Sequence, residues 1–554
     1  MRNKQIINLL IISLLSSSVV LEAQKKNVVF SDITKAAGID FIYNYGDYSY
    51  KNIIESSGSG ITIFDYNNDG FMDIFLMNGT WLEGISDTEG KVFMKSHNEL
   101  YRNNRNGTFT SVTEKAGLDR TFWSMAAGAV DYDNDGDQDL YLLNYGPNVF
   151  YRNNGNGTFS DITSTLGLQG PEKLNNFVKW SIGVAFWDYN LDGRVDAMVG
   201  NFLAFDPKYF SPGSPDMMPS PAEYHGQASM LYEQQADGKF LDVTEKKGLY
   251  FPDSKCMGLT VYDYDDDGDL DIFQANDHHL NYMFRNDNGN YTETAVAIGV
   301  AANSKGKGTG SMHGSIGDVD GDGLVDLLVT DLDYGALYKN NGKGIFSDIT
   351  EASGVAAAMN GKSSWGAQLF DFDNDGDPDI IAANGTAEEL ILQFPLLLEN
   401  DGKGHFKSTG KVAGDYFSSM RSGRSLATVD IDNDGDLDVI ISHLDKNSTP
   451  VLLKNEGGNN NHWLGLILKG KKGPASALGA KVTITTGAKK HVLFNQAATT
   501  YLSNNDPRIH IGLGASEKAD IIEIRWADGK SDIFKNIMCD KYITIEEGKG
   551  IVSK

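Results

Sequence analysis

Seven stretches of this chain place oxygen-bearing side chains at alternate positions of a short turn. Each follows the pattern Asp-x-Asn/Asp-x-Asp-Gly-x-x-Asp. The residues at positions one, three, five and nine are Asp65, Asn67, Asp69 and Asp73 in the first loop and Asp131, Asp133, Asp135 and Asp139 in the second. They are Asp188, Asn190, Asp192 and Asp196 in the third, and Asp263, Asp265, Asp267 and Asp271 in the fourth. The fifth has Asp318, Asp320, Asp322 and Asp326, the sixth Asp371, Asp373, Asp375 and Asp379, and the seventh Asp430, Asp432, Asp434 and Asp438. A hard cation such as calcium takes six to eight oxygens. Side chains at one, three and five can converge on one side of a turn. Glycine at six permits the reversal, and a carbonyl near seven with the carboxylate at nine completes the shell.

An EF-hand begins similarly but ends with a glutamate at position twelve and lies between helices. Here position twelve is Leu76, Leu142, Val199, Gln274, Val329, Ala382 or Ile441, and the flanks read as strands. From first to last position the seven loops hold 31 carboxylates, which repel one another without a counter-ion. The pattern therefore predicts up to seven calcium ions. By binding only the native state they would contribute much of its stability. Asn67 and Asn190 leave the first and third loops with less charge.

A second pattern places these loops on strands. Phe109-Thr-Ser-Val-Thr113, Phe159-Ser-Asp-Ile-Thr163, Phe240-Leu-Asp-Val-Thr244 and Phe346-Ser-Asp-Ile-Thr350 alternate with the acidic loops. Before three of them stand Asn106-Gly107, Asn156-Gly157 and Asp237-Gly238, which are hairpin signals. Each unit reads as a small-residue inner strand (Ala126 to Val130), the acidic loop, an apolar strand (Leu140 to Leu143), a third strand (Val149 to Arg152) and the Phe-x-Asp-Ile-Thr strand. Four-stranded units of this length predict propeller blades. Phe30-Ser-Asp-Ile-Thr34 is a fourth-strand copy standing before the first inner strand, and no such copy follows Val451 to Lys454. The N-terminal copy should complete the last blade. The expected fold is all-β: a seven-bladed propeller over 28–456 closed by its N-terminal strand, then a linker at Gly457 to Asn461 and a small β-domain over 462–547.

If the acidic loops join first and second strands, the opposite face collects the starts of first strands and the ends of second strands. Candidate ligand-binding residues there are Trp123, Trp180, Lys255, His278, His279, His313, Trp365, Arg424 and His443. They could hold a sugar, a carboxylate or a protein loop. Equally, the tryptophans could simply plug the channel, and the histidines could form a transition-metal or acid–base site or only hydrogen-bond. Insertions at Trp81 to His97 and Leu203 to Gln227 fall on the same side.

The chain has 554 residues and a net charge of -27, which opposes nucleic-acid phosphates. Arg2 and Lys4 precede a mostly apolar run from Ile6 to Leu21, and Ala23 suits a cleavage point, so 1–23 reads as a signal peptide. Asn8, Ser13, Ser16, Ser17 and Ser18 interrupt that run and weaken a membrane-span reading. The expectation is a secreted, periplasmic or cell-surface protein. Cys256 and Cys539 are the only cysteines, as two buried thiols or one bridge.

The acidic loops resemble FG-GAP/VCBS repeats, as in integrin-type propellers. Asn461-His-Trp-Leu464, Gly479-Ala-Lys-Val482, Tyr501-Leu-Ser-Asn-Asn-Asp506, His510-Ile-Gly-Leu-Gly514 and Arg525-Trp-Ala-Asp-Gly529 resemble an ASPIC/UnbV domain. The pairing is similar to the cartilage acidic protein family and its bacterial relatives. That resemblance implies an extracellular calcium-binding propeller without a well-defined general activity. Animal members also carry an epidermal-growth-factor-like module, which two cysteines cannot build. The expected role is adhesion, scaffolding or capture of an extracellular or cell-surface protein or glycan. The competing reading is an exported enzyme on the loop-bearing face; no nucleophile elbow, zinc-protease helix or phosphate loop occurs in the sequence.

Overall fold

The computed structural model describes residues 28–47, 49–87, 89–212, 218–332, 334–387, 390–496 and 500–553. The signal-peptide reading of 1–23 lies outside them. The fold is all-β, with helices of at most five residues among the described residues.

Strand order follows the repeat. In one unit, Ser124–Val130, Asp139–Asn144, Val149–Asn153 and Phe159–Asp161 pair antiparallel in chain order, with Val130 opposite Asp139, Leu142 opposite Val149 and Asn153 opposite Phe159. The same order recurs in the sheets whose first strands are Ile61–Phe64, Ser181–Trp187, Cys256–Tyr262, His313–Gly317 and Ser364–Phe370. In the sheet that starts at Gly423–Val429, the fourth strand is Phe30–Asp32, paired with Val451–Asn455 so that Phe30 faces Asn455. First strands pack side by side in chain order, and Gly423–Val429 also packs against Ile61–Phe64.

Alternation buries both faces of each sheet between its neighbours. Leu140 and Leu142 point into one apolar layer with Phe64 and Ala127, while Tyr141 and Leu143 point into the next with Phe186 and Val199. The Phe-x-Asp-Ile-Thr strand ends in a local lock. Thr163 donates its hydroxyl to Asp161 at 2.6 Å and accepts the amide of Phe150 at 2.8 Å. Thr34 makes the same pair of bonds, to Asp32 and from Leu452, across more than four hundred residues of chain.

From His462 onward the chain forms two further four-stranded sheets. One has the order Ile509–Gly514, His462–Lys469, Lys541–Glu546, Gly550–Ser553. The other has the order Lys489–Phe494, Lys481–Thr486, Lys518–Arg525, Ser531–Met538. Leu464, Leu466, Val482, Ile484, Ile522 and Ile543 fill the space between them. The expected linker contains a short turn at Gly458–Asn460 and is tied down by Asn461, which donates to the carbonyl of Asp373 at 2.8 Å.

Candidate metal centres

All seven acidic loops have one backbone geometry. At position six the glycines hold φ from 85° to 107° (Gly70, Gly136, Gly193, Gly268, Gly323, Gly376, Gly435). Position four is also left-handed, at Asn68, Asn134, Leu191, Asp266, Gly321, Asn374 and Asn433. Asn, Asp and Gly tolerate that region; Leu191 is the costly exception. The turn directs amides onto the first carboxylate. Asp69 and Gly70 donate to Asp65 at 3.0 and 2.7 Å, and Asp375 and Gly376 donate to Asp371 at 3.1 and 2.8 Å. The ninth residue is held equally firmly, with Asp139 accepting the amides of Tyr132 at 3.2 Å and Asn153 at 2.8 Å.

This scaffold brings the predicted ligands of positions one, three and nine together in four of the loops, while the carboxylates of position five stand outside those groups. Oxygens from Asp131, Asp133 and Asp139 lie within 4.8 Å of one another, as do those of Asp263, Asp265 and Asp271, of Asp318, Asp320 and Asp326, and of Asp371, Asp373 and Asp379. The donors are all oxygen, which fits calcium. A further observation fits too: the position-three Oδ1 of Asp265, Asp320 and Asp432 is buried without a hydrogen-bond partner among the described residues. Burial, reinforced by neighbouring carboxylates against the backbone bonds, raises Asp73, Asp139 and Asp196 to about 8. Asp271, Asp379 and Asp438 go well above the carboxylate range for the same reasons. A dication at the centre reverses that balance.

One functional element escaped sequence reasoning. Each third strand ends in an amide: Asn103, Asn153, Gln234, Asn286, Asn340, Asn400 or Asn455. Its side chain donates to the position-two carbonyl of the preceding acidic loop, as from Asn153 to Tyr66 at 2.8 Å, Asn340 to Tyr264 at 3.0 Å and Asn455 to Phe372 at 2.8 Å. Asn103 does so to Ile431 of the seventh loop at 2.8 Å. The recurring Tyr-Arg-Asn type of strand end was the available signal.

The basic side chains of the C-terminal sheets meet these loops. Arg525 pairs with Asp263 and Lys481 with Asp266 at 2.7 Å. Lys489 reaches Asp377 at 3.0 Å, and the Tyr542 hydroxyl donates to Asp430 at 2.7 Å. The segment Thr500 to Arg508 lies against the first strands. Ser503–Asn504 runs parallel to Ile61–Phe64, and Thr500 donates to Leu426 at 2.6 Å. A Cβ on Gly60 would lie 2.5 Å from the carbonyl of Leu502, so only glycine admits the segment there.

The candidate ligand residues on the other side are mostly interior. Trp123, Trp180, Lys255, His313, Trp365, Arg424 and His443 are buried; His278 is exposed and His279 half-buried. Trp180 packs against Tyr145, Phe202 and Phe205. Trp365 lies beneath Arg424, 4.3 Å from its ring centre, and beside Tyr501. Lys255 donates to Pro221 at 2.8 Å. The histidines have separate surroundings. His443 bonds Tyr416 at 3.1 Å, His279 bonds the Leu280 carbonyl at 3.1 Å, His278 lies 3.8 Å from Asp277, and His313 faces Gly258 and Leu502. Cys256 and Cys539 are free thiols, the first buried.

An FG-GAP-like repeat family matches residues 91–142, 131–199, 263–329 and 318–382, and the ASPIC and UnbV family matches 470–552. Cartilage acidic protein 1 of Homo sapiens is 24% identical over 492 residues, covering 86% of this chain and 61% of that protein. The Xenopus tropicalis protein is 27% identical over 252 residues, covering 35% of this chain and 38% of that one. The chain thus spans at most about three fifths of these curated relatives. A solved lectin from Agrocybe aegerita, recognising non-reducing terminal N-acetylglucosamine, aligns with 72% of this chain and 80% of its own at 16% identity, with a TM-score of only 0.30. The FG-GAP-like repeats, the ASPIC and UnbV domain and the alignment with cartilage acidic protein 1 along most of the chain place this protein in the cartilage acidic protein-like family.

Proposed function

We infer that this is an exported calcium-binding propeller of seven blades, with an ASPIC/UnbV-like domain on its acidic face, acting in adhesion, scaffolding or capture of an extracellular protein or glycan. The observation that carries the reading is the common geometry of the seven loops, in which the carboxylates of positions one and nine are fixed by backbone amides with further oxygens close by. The fold assignment is 28–456 for the propeller and 462–547 for the terminal domain. Closure of the ring is supported by the pairing of Phe30–Asp32 with Val451–Asn455 and by the amide tie from Asn103 back to Ile431.

Capture on the far side is supported by apolar side chains exposed on the loops opposite the acidic ones, among them Val92, Met94, Phe210, Leu280, Phe394 and Met420. No helix among the described residues is long and apolar enough to cross a membrane. Elemental analysis after dialysis in calcium should find several calcium ions per chain. Pull-down or glycan-array binding should survive replacement of His278, His279, His313 and His443 but fall on Phe210→Ser and Phe394→Ser. A calcium-free protein would overturn the metal reading. Binding or turnover lost with the histidines alone would favour the enzyme.

A further inference from the structure

Away from the acidic loops, the terminal domain gathers a donor set of another kind. His462 opens the strand His462–Lys469, and Cys539 and Asp540 form the turn between Ser531–Met538 and Lys541–Glu546. Parallel pairing of the first and last of these strands, with Leu464 opposite Lys541, sets the two ends side by side. Backbone bonds hold them there: Asp540 donates to Trp463 at 2.7 Å and Cys539 to Glu517 at 3.1 Å. Asp540 takes a left-handed φ of 58°, which turns its carboxylate back toward the imidazole. His462 Nδ1 lies 2.8 Å from Asp540 Oδ2, Cys539 Sγ lies 3.3 Å from the same oxygen, and all three donor atoms fall within 4.8 Å of one another.

We propose that His462, Cys539 and Asp540 bind a single zinc-like divalent ion with one open coordination position. Bond lengths of about 2.0–2.3 Å in a tetrahedron separate neighbouring ligand atoms by roughly 3.4–3.6 Å. The observed 3.3 Å is nearly that already, and the 2.8 Å pair need open only slightly as the ion replaces the proton they share. A sulfur, a nitrogen and one oxygen suit a borderline-soft ion and are poor ligands for calcium or magnesium, which take oxygen shells. As thiolate and carboxylate, Cys539 and Asp540 neutralise the ion, and His462 binds as the neutral ring. The trio is partly open to solvent, so an ion can enter and a water or a partner's side chain can take the fourth position. No oxygen of the seven acidic loops belongs to the trio.

The test uses the full chain in excess calcium, which keeps the acidic loops occupied. Cys256 is fully buried, so Cys539 is the thiol open to alkylation in the folded protein. Zinc should slow that alkylation by about tenfold or more, because the metal-bound sulfur is withdrawn from reaction. Cobalt in place of zinc should give a thiolate-to-metal charge-transfer band, absent in Cys539→Ser and weakened in His462→Ala. Elemental analysis should find one tightly held zinc per wild-type chain and none in Cys539→Ser. Alkylation unchanged by zinc, a cobalt spectrum without the thiolate band, or equal zinc retention in Cys539→Ser would each overturn the proposal and leave His462 and Asp540 as a plain ion pair. The protection assay needs no variant, so a misfolded substitution cannot obscure the result.

Discussion

Asn340 offers the sharpest test of how neighbouring sheets are held together. Its Nδ2 donates to Tyr264 at 3.0 Å, in the preceding acidic loop, and to Val325 at 3.3 Å, in its own. Its Oδ1 accepts the amide of Gly342 at 2.9 Å, and the side chain is buried. Asn340→Ala leaves two buried carbonyls and one amide without partners. At about 1–3 kcal/mol for each group so stranded, and allowing for relaxation, the loss should be roughly 3–6 kcal/mol. Asn340→Gln is the graded control, because Gln234 already stands at the equivalent place in the third sheet and reaches Tyr132 at 3.0 Å. It keeps the bond between sheets and should cost only about 1–2 kcal/mol. Asn341, next along the chain, is exposed and bonds only within its own hairpin, so Asn341→Ala should stay within about 0.5 kcal/mol. Urea midpoints at fixed calcium, with slopes compared to confirm a common unfolding reaction, read all three. If Asn340→Ala proved no worse than Asn341→Ala, the amide ties would be incidental to the assembly of the sheets.

Calcium removal should lower the unfolding temperature. At about 2 mM free ion and dissociation constants of roughly 10⁻⁴–10⁻³ M, each occupied loop contributes about 0.6–1.8 kcal/mol, so an unchanged melting curve after chelation contradicts the calcium reading. Arg525→Ala, by removing a cation from the buried Asp263, should raise calcium affinity at the fourth loop by roughly five- to tenfold in titration calorimetry; weaker binding would show that Arg525 organises the loop instead. Phe30→Ala should cost about 3–5 kcal/mol in urea unfolding, since its buried ring packs against Phe372 and Phe417 at the junction of the sixth and last sheets; a negligible loss would show that the N-terminal strand adds little to the last sheet. Burial, aided by Arg421 and with Arg424 also nearby, lowers His443 to about 3 beside Tyr416. The folded chain therefore keeps it neutral while the unfolded chain takes a proton below about pH 6.5, so stability falls as pH drops through that value. From pH 7 to 5 the wild type should lose about 2 kcal/mol more than His443→Gln; parallel pH profiles would refute this.

Legibility in the sequence followed the range of each interaction. The acidic loops could be read because their ligands lie within nine residues and the residue types state the chemistry. The strands around them could be read from alternation, and Phe30–Asp32 from its likeness to four internal copies. Asn103 and its equivalents repeat just as faithfully, but the carbonyl each one serves belongs to another sheet, 328 residues away in the case of Ile431. The tryptophans illustrate the opposite failure. Aromatic type at a strand start suggests a ligand surface, yet Trp180 and Trp365 are enclosed by insertion residues and by Tyr501, whose place no local pattern announces. Likewise Tyr501 to Asp506 was visible as a motif, but its position among the first strands depends on contacts such as Ile61 to Ser503, 442 residues apart.

Charge explains why the terminal domain sits where it does. Residues 462–554 hold 14 Lys and Arg against 9 Asp and Glu, within a chain of net charge -27, so the domain is a cation facing an anion. Its contacts follow that division: Lys481 and Arg525 at the fourth loop, Lys489 at the sixth, and Arg508, which donates to the carbonyl of Asp430 at 2.8 Å, at the seventh. Lysines and arginines that neutralise loop carboxylates would compete with the proposed calcium for the same oxygens, whereas hydroxyl and amide contacts such as Tyr542 to Asp430 and Ala475 to Asn134 would leave room for both. The fourth loop, with six carboxylates and two cations upon it, is where this competition is strongest. Loops one and three, with three carboxylates each, carry no Lys or Arg of the terminal domain among the described ion pairs. Calcium filling should therefore proceed unevenly around the sheets, with the fourth loop limited by displacement of Arg525 rather than by its own donor set.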